Sequence, residues 1–371
     1  MKFTVNKMVL QSALQQLGKV TPTRSTLPIL SSVHLSAKGN SLALRATDLE
    51  ISQIINIEAT ISTEGELAVP HRTLLEITSE LPDVDLEFEV SSGQKVQLST
   101  PFGSYSIMGK PVSEFPSLPE VNRKQSVEIS GPLLRRVIDK TSFAVSRDDI
   151  KPSLMGVLFR FSEDKFTAVA TDSHRLVRFI WNEKLPGEYL GDNIVPVKFL
   201  NILSGYLEDV EVVTFNIGDN HIMVHSGNTE LFTRIIEERF PDYESVFPQD
   251  NDKILSVKRD DLLAAVKRVS IFSNRTTHQL SLTLNPGAIT LATEDAETVS
   301  AANEKVAADY EGEELVLGYN AHYLRDVISH LDGDTIKADF KSSVSAALFH
   351  PNEQAPGEEI TMLLMPIRLS D

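Results

Sequence analysis

The hydrophobic positions of the chain recur in three similar copies. Each copy opens with a short extended segment, at residues 2–5, 126–129 and 254–257, and continues with apolar residues at helical spacing. This repeated pattern predicts an amphipathic helix with one buried face after each opening strand. The apolar residues that define these helices are Val9, Leu10, Ala13 and Leu14, then Leu133, Leu134, Val137 and Ile138, then Leu262, Leu263 and Val266.

Each predicted helix is followed by strands in which apolar residues alternate with polar ones. The strands end at an acidic turn that begins with threonine, at Thr47-Asp48, Thr171-Asp172 and Thr293-Glu294-Asp295. The interval from helix to turn is 39 residues in the first two copies and 33 in the third. Alternation with period two places the apolar side chains on one face of a sheet, which is then buried.

A second helix follows in each copy, after Val69-Pro70, Val195-Pro196 and Leu317-Gly318. The pattern predicts an α+β fold of three similar domains in tandem, each with two helices packed on antiparallel sheets. Polar linkers that contain proline occur near residues 119–124 and 248–252. We therefore expect domains at residues 1–123, 124–250 and 251–371.

The charge of the chain is unevenly distributed. Its net charge of -17 opposes nucleic-acid binding if it is spread evenly, but the six predicted helices together carry +5 and the rest of the chain -22. Basic helices and an acidic exterior could hold DNA at one surface and repel it elsewhere. Lys and Arg are also good helix formers on any solvated face, so the charge pattern alone favours an ordinary solvated surface.

Composition excludes several kinds of site. The chain has no cysteine, which excludes disulfides and thiolate metal sites, and we predict neither a metal nor a cofactor. Its apolar runs are too short to span a bilayer and its first residues do not resemble a signal peptide, so we expect a cytoplasmic protein.

The segment from Thr171 to Arg175 contains Asp, Ser and His, which together could indicate a hydrolase. Ser173 and His174 are neighbours on an extended segment and point to opposite faces, and no Gly-x-Ser-x-Gly elbow surrounds them. A nucleophile and its base must lie within hydrogen-bonding reach. The sequence therefore predicts no catalytic residue here and favours a structural turn that recurs in the other copies.

The order of the motifs over the whole chain resembles that of the bacterial DNA polymerase III beta subunits, the sliding clamps. The segments that carry the resemblance are MKFTV at the start, Thr26-Leu27-Pro28-Ile29-Leu30, Thr47-Asp48-Leu49-Glu50, Thr171-Asp172-Ser173-His174-Arg175-Leu176, Arg239-Phe240-Pro241-Asp242-Tyr243 and Met365-Pro366-Ile367-Arg368-Leu369. The resemblance implies a non-catalytic processivity factor, a head-to-tail homodimeric ring that encircles duplex DNA independently of its sequence. It also implies tethering of the replicative polymerase, the clamp loader, repair polymerases and mismatch-repair proteins through linear motifs.

The resemblance further implies three sets of functional residues. A cleft for partner peptides is expected from Leu154, Thr171, Ser173, His174, Arg175, Leu176, Pro241, Val246, Asn320, Tyr323, Val344, Met365, Pro366 and Arg368. Phosphate contacts are expected from Arg24, Arg72, Arg147, Lys151 and Lys198. The dimer contact is expected to join Ser104, Ile107 and Met108 of one chain to Ile271 and Phe272 of another.

The chain departs from the family pattern at several positions. Ser173 stands where glycine is common, Glu244-Ser245 where basic residues occur, and Ser370-Asp371 extends the usual ending. Taken alone, the aliphatic residues of the predicted cleft also fit an ordinary core, and Ile271-Phe272 fits core packing. The main alternative function is a repeat-built interaction scaffold that does not enclose DNA.

Overall fold

The structure is a computed structural model that describes residues 1–91, 93–121, 125–208 and 210–369. The predicted boundary at residues 123 and 124 and the Ser370-Asp371 extension lie outside these residues. Six α-helices occur in the described part of the chain, two for each copy of the repeat. They are α1 (Lys7–Leu17), α2 (His71–Glu80), α3 (Gly131–Thr141), α4 (Val197–Ser204), α5 (Arg259–Ser270) and α6 (Ala321–His330).

The chain forms two compact units. The first comprises Met1–Pro132, Pro186–Tyr189 and Ile202–Ile235, and the second Leu133–Leu185, Leu190–Asn201 and Ile236–Asp371. The second copy of the repeat therefore contributes strands to both units.

The first unit contains two sheets. One has the strand order β5-β1-β7-β8-β9, and the other β10-β15-β16-β17-β4-β3-β2-β6. Their strands are β1 (Lys2–Asn6), β2 (Ser32–Lys38), β3 (Ser41–Thr47), β4 (Ile51–Glu58), β5 (Thr60–Thr63), β6 (Gly65–Pro70), β7 (Asp85–Val90), β8 (Lys95–Thr100), β9 (Gly103–Met108), β10 (Ser126–Ser130), β15 (Val212–Ile217), β16 (His221–Ser226) and β17 (Thr229–Arg234).

The second unit contains one sheet of twelve strands in the order β14-β11-β12-β13-β25-β24-β23-β18-β21-β20-β19-β22. The strands are β11 (Gly156–Phe161), β12 (Phe166–Thr171), β13 (Arg175–Trp181), β14 (Gly191–Pro196), β18 (Lys253–Lys258), β19 (Gln279–Asn285), β20 (Ala288–Asp295), β21 (Ser300–Tyr310), β22 (Leu315–Asn320), β23 (Thr335–Phe340), β24 (Ala347–Pro351) and β25 (Glu358–Leu364).

Two pairs of helices pack together and against the sheets. In the first unit α1 contacts α2 and strands β1, β3 and β4, and in the second unit α5 contacts α6 and strands β18, β20 and β21. Every strand pairing described above is antiparallel. The predicted α+β class with helices on antiparallel sheets is therefore confirmed.

Two details of the helix prediction are wrong. Val9 is exposed and lies outside the buried stripe of α1, which contains the other three predicted residues, Leu10, Ala13 and Leu14, together with Leu17. The residue before the second helix is Pro70 or Pro196 in the first two copies but Asn320 in the third. The predicted match of the third copy was therefore two residues too early. Gly318 occupies the position that Ala68 has in the first copy and Ile194 in the second.

The basic surface predicted for the helices is reduced by burial and pairing. Lys7 and Lys140 are buried, and Lys140 Nζ donates to Asp332 Oδ1 at 2.7 Å. Arg136 forms ion pairs with Asp332 and Glu358, both at 2.6 Å. The sequence prediction counted these cations as part of a solvated basic surface. Buried cations require nearby acceptors, so these side chains contribute less to such a surface.

The turn after the alternating strands has the same geometry in the first two copies. The hydroxyl of Thr171 donates to Arg175 O at 2.7 Å, and Asp172 Oδ1 accepts from the backbone N–H groups of His174 and Arg175 at 2.9 Å. In the first copy Thr47 donates to Ile51 O at 3.0 Å and Asp48 accepts from the two equivalent N–H groups. This supports the prediction of a repeated structural turn for these two copies. In the third copy the prediction is wrong, because Thr293 to Asp295 belong to strand β20 and the Thr293 hydroxyl donates to Gln279 O at 2.6 Å.

The third residue of this turn has a positive φ in both copies, 81° at Leu49 and 76° at Ser173. A side chain with a Cβ is disfavoured in this left-handed region, which glycine adopts without steric cost. The left-handed backbone is a physical reason for the glycine that the resemblance leads us to expect at position 173.

We expect Ser173→Gly to raise the free energy of unfolding by about 0.5 to 1 kcal/mol, because the relief of left-handed strain exceeds the extra entropy of glycine in the unfolded chain. Urea denaturation followed by circular dichroism measures the change. Ser173→Ala keeps the Cβ and is the matched control, with no gain expected. Equal stability of the Gly and Ala variants would contradict this account.

Tyr319 lies in the core of the second unit. Its side chain is fully buried and its hydroxyl has no hydrogen-bond partner among the described residues, whereas the Tyr310 hydroxyl donates to Glu313 O at 2.8 Å. Tyr319→Phe should raise the free energy of unfolding by about 1 kcal/mol, and Tyr310→Phe should lower it by about the same amount. Equal losses in the two variants, measured by urea denaturation, would show that Tyr319 makes a hydrogen bond.

Candidate functional site

The predicted cleft residues lie in the second unit, and several of them surround the turn between β12 and β13. Asp172 fixes the backbone of this turn, so that Ser173 and His174 are exposed while Arg175 is buried. The ring of His174 stacks on the ring of Tyr323 with centroids 5.6 Å apart and planes 19° apart. Residues 174 and 323 are thereby in contact, as expected for one side of a cleft.

Arg175 has a different position from the one expected of a peptide-binding cation. Its guanidinium donates to Asp172 Oδ2 at 3.1 Å, to Asp326 Oδ2 at 2.7 Å and to the carbonyl of Phe143 at 2.8 Å. It also lies over the rings of Phe143 and Tyr323, at 5.1 and 4.8 Å from their centroids. Because these acceptors occupy its N–H donors, the buried Arg175 links the turn at Asp172 to Asp326 on α6.

Asn320 caps the N-terminus of α6. Its side-chain oxygen accepts from the backbone N–H groups of His322 at 2.9 Å and Tyr323 at 3.3 Å. Such a cap satisfies two of the N–H groups that a helix leaves without intrahelical partners. Asn320 therefore positions Tyr323, which in turn contacts His174.

The apolar part of the site is a cluster that contains Leu154 and Leu176. Both side chains are buried, and they pack with Leu158, Val169, Ile194, Phe240, Tyr243, Ala346 and Leu363. Pro241, Val246 and Val344 are exposed and lie next to or near members of this cluster along the chain, and the exposed fractions of Val246 and Val344 are 50% and 69%. Exposed aliphatic residues beside a buried apolar floor are typical of a surface that binds a peptide.

The end of the chain crosses this region after β25. Strand β25 pairs with β13 in a register that places Leu364 opposite Arg175. Met365 N–H then donates to His174 O at 2.9 Å, and Ile367 N–H donates to Gly318 O at 2.8 Å. Met365 and Arg368 are exposed and Pro366 is half-buried, so the chain end forms an accessible edge beside His174.

A charged group lies beside Tyr243. Arg160 pairs with Asp192 at 3.0 Å and with Glu244 at 3.1 Å, and its guanidinium lies 5.5 Å from the centre of the Tyr243 ring. Burial raises the pKa of the Tyr243 hydroxyl, although Arg160 opposes this. Glu244, noted as a departure from the family, thus has a cationic partner.

Sequence reasoning missed the residues that support the cleft. Phe143 and Asp326 hold Arg175, and Gly318 holds the chain end, but none belongs to a quoted motif. Phe240 and Tyr243 belong to the apolar cluster, and both lie within the motif Arg239-Phe240-Pro241-Asp242-Tyr243. That motif was the signal by which they could have been predicted as cleft residues.

The cations predicted to contact phosphate are all exposed, Arg24 and Arg72 in the first unit and Arg147, Lys151 and Lys198 in the second. Arg72 forms an ion pair with Glu76 at 2.7 Å, which lowers its availability.

The residues predicted for the dimer contact are mostly accessible. Ser104 and Met108 are exposed on β9, and Ile271 and Phe272 are exposed after α5, with 77% of Ile271 accessible. Ile107 is buried within its own unit, so only its backbone is available to another chain.

No helix in the described part of the chain is both long and apolar enough to cross a membrane.

Comparison with known proteins covers the whole chain. Family models of the DNA polymerase III beta subunit match its N-terminal domain at residues 1–119, its central domain at 128–242 and its C-terminal domain at 244–368. The beta sliding clamp of Pseudomonas putida is 31% identical over 372 residues, and that of Caulobacter vibrioides 32% over 379, each with both chains fully covered.

Solved structures show the same similarity. A sliding clamp from Pseudomonas aeruginosa bound to griselimycin has a TM-score of 0.93 at 31% identity, with both chains fully covered. A clamp from Bacillus subtilis has a TM-score of 0.94 at 26% identity with the same coverage. The three tandem clamp domains expected from the repeat are thus present, and the chain belongs to the family of DNA polymerase III beta subunits, the sliding clamps, which are processivity factors rather than catalytic subunits.

Proposed function

We propose that two copies of this chain close head to tail into a ring around duplex DNA and tether replication and repair proteins to it. The observation that carries the proposal is the match of all three clamp domains, in order, over the full lengths of the relatives. We also propose domain boundaries near residues 124 and 250 and a cytoplasmic location. The replicative polymerase, a clamp loader, repair polymerases and mismatch-repair proteins are the proposed partners.

The sheet edges favour a head-to-tail contact. Within the described ranges, β9 pairs with β8 alone, and β21 pairs with β18 only at Ala308–Tyr310, leaving residues 300–307 with β20 as their one neighbour. Unpaired strand edges bind other strands readily. Pairing of β9 in one copy with residues 300–307 in another would close two such edges, and two such contacts related by symmetry close a ring.

Ile271 and Phe272 supply the apolar part of the proposed contact. Ile271 directly follows α5, and Arg268 in the last turn of this helix pairs with Glu304 of the open part of β21, so Ile271 follows a helix end that contacts this edge. Exposed apolar neighbours of this kind are typical of an interface core.

The dimer is tested by replacing both apolar residues. We expect Ile271→Ala with Phe272→Ala to weaken self-association about 10,000-fold, since the loss of two central anchors costs about 3 kcal/mol at each of the two contacts that close the ring. Sedimentation velocity over a concentration series measures the constant, and negative-stain microscopy should show six-lobed rings for the parent and monomers for the variant. Ile254→Ala removes an exposed isoleucine outside the proposed contact and is the control. An unchanged association constant would rule out this interface.

Contact with DNA is proposed to be weak and independent of sequence. The exposed cations Arg24, Arg147, Lys151 and Lys198 can approach phosphate groups, which carry no sequence information. Ring closure would retain the protein on DNA by topology, so salt-sensitive contacts with few phosphates are sufficient and permit sliding.

Partner binding is proposed at the cleft around His174, Tyr323 and Met365. The griselimycin-bound relative shows that a clamp of this fold can bind a ligand, and the cleft combines an apolar floor with exposed Val246 and Val344. An extended peptide with aliphatic or aromatic residues matches these surfaces.

We expect Met365→Ala to weaken partner binding about tenfold, because roughly 1.4 kcal/mol of apolar contact is lost, while the dimer stays intact. The measurement is fluorescence anisotropy with a labelled peptide carrying the apolar clamp-binding motif of a bacterial replicative polymerase. Met8→Ala, which truncates an exposed methionine on α1, is the matched control. Equal affinities of the Met365→Ala variant and the parent would place the peptide elsewhere.

A further inference from the structure

The end of the chain lies directly on Gly318 of β22. A Cβ atom built on Gly318 would be 2.5 Å from the carbonyl oxygen of Ile367 and 2.8 Å from Cδ2 of Leu369. Both distances are shorter than real Cβ contacts, and one neighbour is a backbone atom that cannot rotate away. The φ of Gly318 is not in the left-handed region. Glycine is therefore required at this position by the chain end and not by its own backbone.

The other two copies of the repeat show what is particular to Gly318. After its last strand, each copy returns to the same position of an earlier strand: Lys110 pairs with Ala68, Ile236 pairs with Ile194, and Ile367 donates to Gly318. In the first two copies this position carries a side chain that belongs to an apolar cluster. In the third copy the side chain is missing, and Leu369 lies over the glycine instead.

We infer that Gly318 is a positioning residue for the partner-peptide cleft: it forms a seat for Leu369 that fixes Met365 and Arg368 in the geometry that binds peptide. The inference rests on the proposed function of the cleft. The chain end is held at Met365 by His174 O and at Ile367 by Gly318 O, two residues apart. Removal of the second attachment leaves Met365 anchored on one side and frees Ile367, Arg368 and Leu369.

The seat acts through preorganisation. Ordering one residue of backbone costs roughly 1 to 2 kcal/mol, and a peptide that meets an ordered chain end does not bear this cost on binding. A chain end that has left Gly318 must be ordered again by each partner, so affinity falls although every contacting side chain is still present.

The test is Gly318→Ala in the full-length protein, with Gly93→Ala as the matched control because a Cβ at Gly93 meets no atom within 4 Å. We expect about a tenfold weaker affinity for the labelled polymerase-motif peptide, with an unchanged dimer. Hydrogen exchange of the C-terminal fragment, followed by mass spectrometry, should be faster in the variant, since the amide of Ile367 loses its acceptor. Leu369→Ala should act in the same direction, and it keeps the inference testable if Gly318→Ala does not fold.

The outcomes separate this inference from the function on which it rests. If the parent protein binds the peptide and both variants bind it equally well, the positioning role is wrong, whether or not exchange is faster. If exchange in Gly318→Ala equals that of the parent, the seat itself is wrong. If the parent does not bind the peptide, the proposed function of the cleft fails, and the exchange measurement still decides whether Gly318 holds the chain end.

Discussion

The antiparallel pairing of β13 with β25 is the constraint on which the candidate cleft depends. These strands are far apart in sequence, yet their register places Arg175 opposite Leu364 and so sets the turn at Asp172 beside the chain end at Met365. A slip of one residue would turn every side chain of β25 to the other face of the sheet. Met362 and Leu364 are buried on one face and Leu363 packs in the apolar cluster on the other, so a slip would exchange the side chains that these two packed faces hold.

Buried cations connect the helices to this frame. Lys140 donates to His330 O at 2.7 Å, at the last turn of α6, where a helix carries partial negative charge. Arg175 reaches Asp326 on the same helix. Burial alone would raise the pKa of the Asp332 carboxyl, but hydrogen bonds from Lys140 and Arg136 outweigh it and lower the pKa. This contribution to stability is therefore present at neutral pH and is lost as the pH falls below the ordinary range of a carboxyl group.

Much of the fold was predictable because its signals lie in short segments of sequence that recur in three copies. Helical spacing identified the helices, and the Thr-Asp turns of the first two copies follow their helices at the same interval of 39 residues, with bonds to their own neighbouring backbone. The parts that were not predictable depend on distant partners. Nothing local to Lys140 or Arg175 indicates that each meets a carboxylate more than 150 residues away. Gly318 resembles an ordinary strand glycine until the path of residues 365–369 is known.

The repeat also explains why the turn of the first copy does not make a second cleft of the same kind. The strands of the two copies can be matched by the shared turn and by the equivalent pairs Ser32–Pro70 and Gly156–Pro196. In this match His34, Arg45 and Ser52 of the first copy occupy the positions of Leu158, Val169 and Leu176 in the second.

These polar residues are already engaged. Arg45 donates to Pro116 O at 2.8 Å and covers the ring of Phe115 at 4.8 Å, while His34 lies 3.2 Å from Glu66. An apolar peptide placed over them would bury charged groups without giving them new partners, at a cost of several kcal/mol. The backbone of the turn is therefore common to both copies, whereas three side chains beneath it decide which copy can accept an apolar partner.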